Sequence, residues 1–253
     1  MNLRPTTSHS ISVGASWKDS ADRWRSSITL WNVRMRNRVG VVPPFVLLAN
    51  ENQLTIDRVR RDPPTAADNL AGLPGRLRLV DITRGNFGIT QTSGIDLALQ
   101  KRFDIGAITV EPRLDLTYTD EFRESELPIR NGTLRNRVGV ASVFGTIPRW
   151  RAVGCVKSES AVWRIDLCGR YHSSYSDYFA ASGVRADRDI PSSTLWDVNL
   201  TWDFSERFSL SAGAFNVLDK GAPFAEIGDN YGFDTSQSDL EGRTWWLKLT
   251  SAF

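Results

Sequence analysis

The side chains able to do chemistry are few and scattered. Two histidines, His9 and His172, and two cysteines, Cys155 and Cys168, serve a chain of 253 residues. The histidines are far apart and lack metal-ligand spacing, so surface or wall positions account for both. No GxGxxG or P-loop phosphate cradle occurs, and no HExxH zinc pair. Asp229, Asp234, Asp239 and Glu241 crowd one segment, but their offsets do not fit a calcium loop. A solvated acidic loop explains them. These residues imply no enzyme, no cofactor and no metal.

Composition narrows the classes further. Lys and Arg number 31 against 29 Asp and Glu, a net charge of +2 that argues against nucleic acid as a partner. No stretch approaches the ~20 apolar residues of a helical span. The longest candidate, Val39 to Asn50, is broken by Pro43-Pro44, and the residues after Met1 carry no apolar signal core. Nine Trp and twelve Phe nevertheless sit in a chain of mean hydropathy −0.29. Strands with one apolar face reconcile the two.

Alternation at period two supplies those strands. Trp196, Val198, Leu200, Trp202 and Phe204 share one face, and Asp197, Asn199, Thr201 and Asp203 share the other. Ile108 to Tyr118 and Trp163 to Tyr171 repeat the pattern, as does Trp245, Leu247, Leu249, Phe253 against Trp246, Lys248, Thr250. Shorter runs are Ile11 to Trp17, Ile95 to Leu99, Trp150 to Val156 and Phe208 to Ala214. A ninth, Trp24 to Arg36, changes phase near Trp31. Short polar turns at Lys18–Arg23, Lys101–Gly106, Lys157–Ala161 and Ser205–Arg207 alternate with long excursions at 39–84, 123–147, 173–193 and 218–242. That rhythm predicts an all-β fold: an antiparallel transmembrane β-barrel segment of about nine strands from a larger barrel, with short periplasmic turns and long extracellular loops. Aromatics fit the same reading. They flank the short turns (Trp17, Trp24, Phe103, Trp163, Phe204, Phe208) and recur about eight residues on, roughly 20 Å across a membrane for tilted strands. In the longest loop, Thr65 to Gly72 reads as a short helix with Thr65 as its N-cap.

The C-terminal part carries a resemblance. Leu210-Ser-Ala-Gly-Ala-Phe-Asn216-Val-Leu-Asp219-Lys220, a long loop, then Glu241-Gly242-Arg243 and alternating aromatics ending at Phe253 resemble the end of TonB-dependent outer-membrane receptors. Asn2-Leu-Arg-Pro5, Thr92-Ser-Gly-Ile-Asp-Leu97 and Pro148-Arg-Trp-Arg151 agree in order. The resemblance implies uptake of a scarce nutrient (ferric siderophore, vitamin or glycan) across the outer membrane of a Gram-negative bacterium. Implied partners are outer-membrane lipid, the barrel-assembly machinery and the remainder of the receptor, its plug and N-terminal strands. TonB would be reached only through the plug. Family barrels have about 22 strands and a plug. With nine strands and no plug, residues 1–253 read as a C-terminal barrel fragment. The competing reading is a water-soluble all-β carbohydrate- or ligand-binding module.

Site expectations follow from the facing. Trp245, Leu247, Leu249 and Phe253 form the outer-membrane assembly signal that the resemblance implies. Arg34, Arg36, Asp96, Glu111, Arg113, Asp115, Arg164 and Asp166, with Asp197, are expected on the lumen wall as candidate contacts. Cys155 and Cys168 share that wall, but a turn at Lys157–Ala161 would hold them about 13 Å apart and unbridged.

Overall fold

The computed structural model describes residues 3–54, 57–86, 88–124, 134–141, 145–179, 184–226 and 232–251. Nine long strands make one sheet: β1 (Thr7–Lys18), β2 (Trp24–Arg36), β3 (Ile89–Lys101), β4 (Ile108–Glu124), β5 (Trp150–Glu159), β6 (Trp163–His172), β7 (Ser193–Ser205), β8 (Phe208–Phe215) and β9 (Thr244–Ser251). Their order in the sheet is their order in the chain, with β1 and β9 at the two ends. From β4 onward the pairings are antiparallel. Each of the nine alternating runs lies in one of these strands, the last of them as far as Ser251. No helix among the described residues is long and apolar enough to cross a membrane.

Three details of the sequence reading change. The β5–β6 hairpin turns at Ala161-Val162, where the Ser160 amide donates to the Trp163 carbonyl at 2.8 Å. The polar residues Lys157, Ser158 and Glu159 stay in the ladder, opposite Asp166, Ile165 and Arg164. Cys155 therefore pairs directly with Cys168, Cα to Cα 4.1 Å, and the two form a disulfide. The expectation of two free thiols is overturned, because charged side chains on the polar face belong in a strand as readily as in a turn. The purified protein should yield peptides joined at Cys155–Cys168 by non-reducing mass spectrometry; free thiols at both would contradict this pairing.

Secondly, β2 does not change phase near Trp31. Exposure alternates residue by residue from Ile28 to Arg36. Arg34 and Arg36 thus share the face of Ile28 and Leu30, whereas Trp31 sits over Gly94 on the opposite face. The expectation that these two arginines join the polar wall is corrected: the apolar row simply ends before the strand does. Thirdly, the turn after β3 moves to Gly106-Ala107, with Phe103–Ile105 pairing back onto Ile108–Val110. Gly106 takes the left-handed φ of +63° that this tight turn requires.

Two compact units divide the chain: Met1–Ser10, Val33–Thr92 and Phe122–Asn136 form one, and Ile11–Asn32, Ser93–Glu121 and Arg137–Phe253 the other. Within the first, the long β2–β3 connection folds on itself. Helix α1 (Pro44–Ala49) contributes Leu47 to a small core with Val42 and Val59, and Val59–Arg61 pairs with Leu77–Val80. Arg58, 6 % exposed, donates to the Asp81 and Thr83 carbonyls and lies 3.5 Å from the Asp81 carboxylate. Helix α2 (Ala66–Ala71) has the expected cap. Asp68 donates its amide to the Thr65 hydroxyl and accepts the Thr65 amide, and Gly72 closes the helix in the left-handed region. The Thr65 contacts hold the Asp68 carboxyl below its usual range.

In the second unit, the β6–β7 connection forms a hairpin of Tyr175–Phe179 with Val184–Ile190. Tyr175 and Ile190 pack with Ala141 and Ala225. Asp177 is fully buried and is held by the Arg188 guanidinium and the Glu226 amide. Burial, with the charges of Asp234 and Asp177 adding to it, pushes the Tyr175 hydroxyl above its ordinary range.

Candidate functional site

Directly opposed residues of neighbouring strands share a face, so register alone sorts the side chains into rows. On one face a row reads Pro112, Val156, Leu167, Val198, Ala214, Trp245 across six strands. Its neighbour reads Val110, Ser158, Ile165, Leu200, Ala212, Leu247. The next runs Trp163, Trp202, Leu210, Leu249. This face is apolar and exposed: Leu247 is 73 % and Leu200 43 % accessible. Aromatic pairs flank its short-turn edge, Trp17 with Trp24 at 6.3 Å and Phe204 with Phe208 at 6.0 Å between centroids. Tyr118 and Trp150, 4.6 Å apart, lie at the long-loop edge.

The opposite face is polar. Its rows read Thr109, Glu159, Arg164, Thr201, Ser211, Lys248 and Glu111, Lys157, Asp166, Asn199, Gly213, Trp246. Then come Arg113, Cys155, Cys168, Asp197, followed by Asp115, Val153, Arg170, Leu195 and Thr117, Arg151, His172, Ser193. Asp96 joins the last row, accepting from the Thr117 hydroxyl at 2.7 Å. Of the predicted wall residues, the structure thus brings Asp96, Glu111, Arg113, Asp115, Arg164, Asp166 and Asp197 to one face. Charge is paired within it. Arg113 forks onto Asp115 at 2.7 and 3.2 Å, and Arg170 onto Asp197 at 2.8 and 3.1 Å. Glu159 takes Lys157 at 2.7 Å and Arg164 at 3.5 Å.

The terminal sequence motif acquires a structural meaning. Asn216 adopts a left-handed φ of +49° at the end of β8 and exchanges hydrogen bonds with the Lys220 backbone at 2.9 and 3.0 Å. Its own amide donates to Asp197 at 2.9 Å. Asp219 accepts the Arg243 amide at 2.9 Å, which ties the end of β8 to the start of β9. The Asn, Asp and Gly-Arg positions therefore anchor the last long connection at both feet. Farther along, Asp234 accepts from Thr146 and Ser236, and Gln237 donates to the Thr146 carbonyl.

Where that connection meets the polar wall it leaves a notch of about 350 Å³. Arg151, Arg170 and His172 come from the strands, and Asn216, Lys220 and Gln237 from the connection. Sequence reasoning missed this notch, apart from Asp115. Trp245, Leu247 and Leu249 stand in a row of outward-pointing side chains on β9, while Phe253 and Asp229 lie outside the described residues.

A family model for the TonB dependent receptor-like β-barrel matches residues 1–217. The chain belongs to that family. The sheet is accordingly part of an outer-membrane β-barrel of a Gram-negative bacterium. Solved structures agree at the level of fold. The siderophore receptor PirA of Acinetobacter baumannii matches all of this chain with 32 % of its own length, at 14 % identity and a TM-score of 0.62. A variant of the ferric enterobactin receptor PfeA of Pseudomonas aeruginosa matches 99 % of the chain with 32 % of its own, at 14 % identity and 0.64. The ferripyoverdine receptor of the outer membrane of the same organism matches 99 % with 28 %, at 14 % identity and 0.59. The chain thus spans about a third of these receptors. No curated protein matches it by sequence. Nothing among these findings supports the soluble binding module.

Proposed function

We propose that residues 1–253 form the C-terminal strands of a TonB-dependent receptor that takes up a scarce, bulky nutrient such as a ferric siderophore, a vitamin or a glycan. The observation that carries this reading is the two-sided register, apolar rows on one face and paired charges on the other, within a chain of the receptor family. Lipid covers the first face, and water, the plug domain and the passing nutrient meet the second, so that wall must be polar, with neighbouring charges pairing across strands. TonB acts through the plug, so this wall does no chemistry of its own. Asp96, Glu111, Arg113, Asp115, Arg164 and Asp166 line the passage. Trp245, Leu247, Leu249 and Phe253 present the pattern by which the assembly machinery recognises its client.

A strain lacking the receptor is the test. Grown on limiting ferric chelates, vitamins or oligosaccharides, it should fail on one of them, and loss of TonB should reproduce the failure. Complementation should work with the intact gene and fall several-fold with Phe253 deleted, in step with the amount of assembled receptor. Unimpaired growth on every nutrient would contradict the reading; full assembly without Phe253 would remove the assembly role.

A further inference from the structure

Several arginines of the polar wall are held by a carboxylate. Arg113 is held by Asp115, Arg170 by Asp197 and Arg164 by Glu159. Arg151, in the row nearest the long loops, has no carboxylate partner among the described residues. Its Nη2 donates only to the neutral Gln237 side chain, at 2.8 Å. Directly opposite Arg151 stands His172. Nδ1 of His172 lies 3.0 Å from the Ser173 carbonyl, which can only accept, so Nδ1 carries a proton. Nε2 is then the free position of the ring, and it is buried without a hydrogen-bond partner among the described residues. A buried, unsatisfied ring nitrogen costs free energy unless something meets it.

Both groups line the 350 Å³ notch under the β8–β9 connection, within the usual size of a small-molecule site. Lys220 lines it as well, its backbone fixed by Asn216 and its ammonium without a carboxylate partner among the described residues. Of the two acids that line it, Asp115 is neutralised by Arg113, while Asp239 keeps its charge and accepts the Glu241 amide at 3.3 Å, so Arg151 and Lys220 together leave an excess of positive charge. Ser193, Ser236 and Ser238 add hydroxyls, and Val153 and Leu195 an apolar floor. The notch therefore combines uncompensated positive charge, one open acceptor and a partly apolar surface.

We propose that this notch is a binding subsite for an anionic oxygen group, a carboxylate or a phosphate, on a small molecule entering from the loop side. Arg151 donates to two oxygens of the anion through its planar fork, and Lys220 supplies the second charge. His172 Nε2 accepts from a hydroxyl of the same molecule. Deepening the receptor reading, on which it rests, the inference assigns residues of the site and the charge of what they hold.

The assembled receptor, purified in detergent, is titrated with citrate in one arm and inorganic phosphate in the other, at constant ionic strength made up with chloride, by calorimetry. Binding of citrate identifies a carboxylate site, and binding of phosphate alone a phosphate site. Arg151→Gln and Lys220→Gln should each weaken the bound probe about tenfold or more. Arg207→Gln, in the short turn between β7 and β8 and outside the notch, should leave affinity within twofold. Heat-modifiable mobility of each variant reports assembly separately. Assembled receptor that binds neither probe, or that loses affinity equally with Arg207→Gln, overturns the subsite and leaves the receptor reading standing. A chain that never enters the outer membrane overturns both.

Discussion

Leu200→Arg should abolish most of the assembled receptor, while Asn199→Arg one residue earlier should be tolerated. Leu200 stands in the middle of an apolar row, between Ile165 of β6 and Ala212 of β8. A guanidinium there must enter hydrocarbon, at a cost of roughly 2–4 kcal/mol near the bilayer midplane. Asn199 lies between Asp166 and Gly213 on the polar face, where an added cation meets a carboxylate. The measurement is the fraction of receptor in washed outer membranes that shows heat-modifiable mobility. A fall of severalfold or more is expected for Leu200→Arg and a change within twofold for Asn199→Arg; equal damage at both would refute the facing.

The largest effect is expected for residues 1–253 expressed by themselves. This chain should reach neither a closed barrel nor a ligand-binding state. β1 and β9 end the strand order, and all twelve residues of β1 are exposed. In lipid, each unsatisfied backbone group along such an edge costs several kcal/mol. In water, Trp245, Leu247 and Leu249 remain 65–73 % accessible beside an open ladder, a template for aggregation. Expression should give insoluble protein with no heat-modifiable band. Co-expression with the remaining strands and plug should restore one. A soluble or membrane-inserted species of residues 1–253 that binds ligand unaided would contradict the fragment interpretation.

The strands were legible because each keeps apolar side chains on one face and polar ones on the other, and so must alternate. Trp196 to Phe204 shows this without help from any neighbour. Turn positions were less legible, since Lys157 and Glu159 are charged for the sake of the polar wall and not for a turn. Moving the turn centre from the Glu159–Ser160 bond to the Ala161–Val162 bond shifts the register by four residues. That shift brings Cys168 to Cys155 and His172 to Arg151. The hairpins inside the long connections gave no periodic signal, because segments such as Val59-Arg-Arg61 are too short to alternate. The notch was hidden for a different reason: Thr117, Arg151, His172 and Ser193 form a row only when three registers are known at once. An isolated histidine on the polar side of a strand was the one available hint.

The central claim is that β7 presents alternate residues to lipid and to the passage. Site-directed spin labelling of positions 196 to 204, one at a time in the assembled receptor in bilayers, tests it most directly. Accessibility to dissolved oxygen should peak at 196, 198, 200 and 202, with accessibility to a water-soluble nickel chelate, where present, confined to 197, 199, 201 and 203. Loss of this two-residue period, or uniform access to the nickel chelate along the strand, would contradict it.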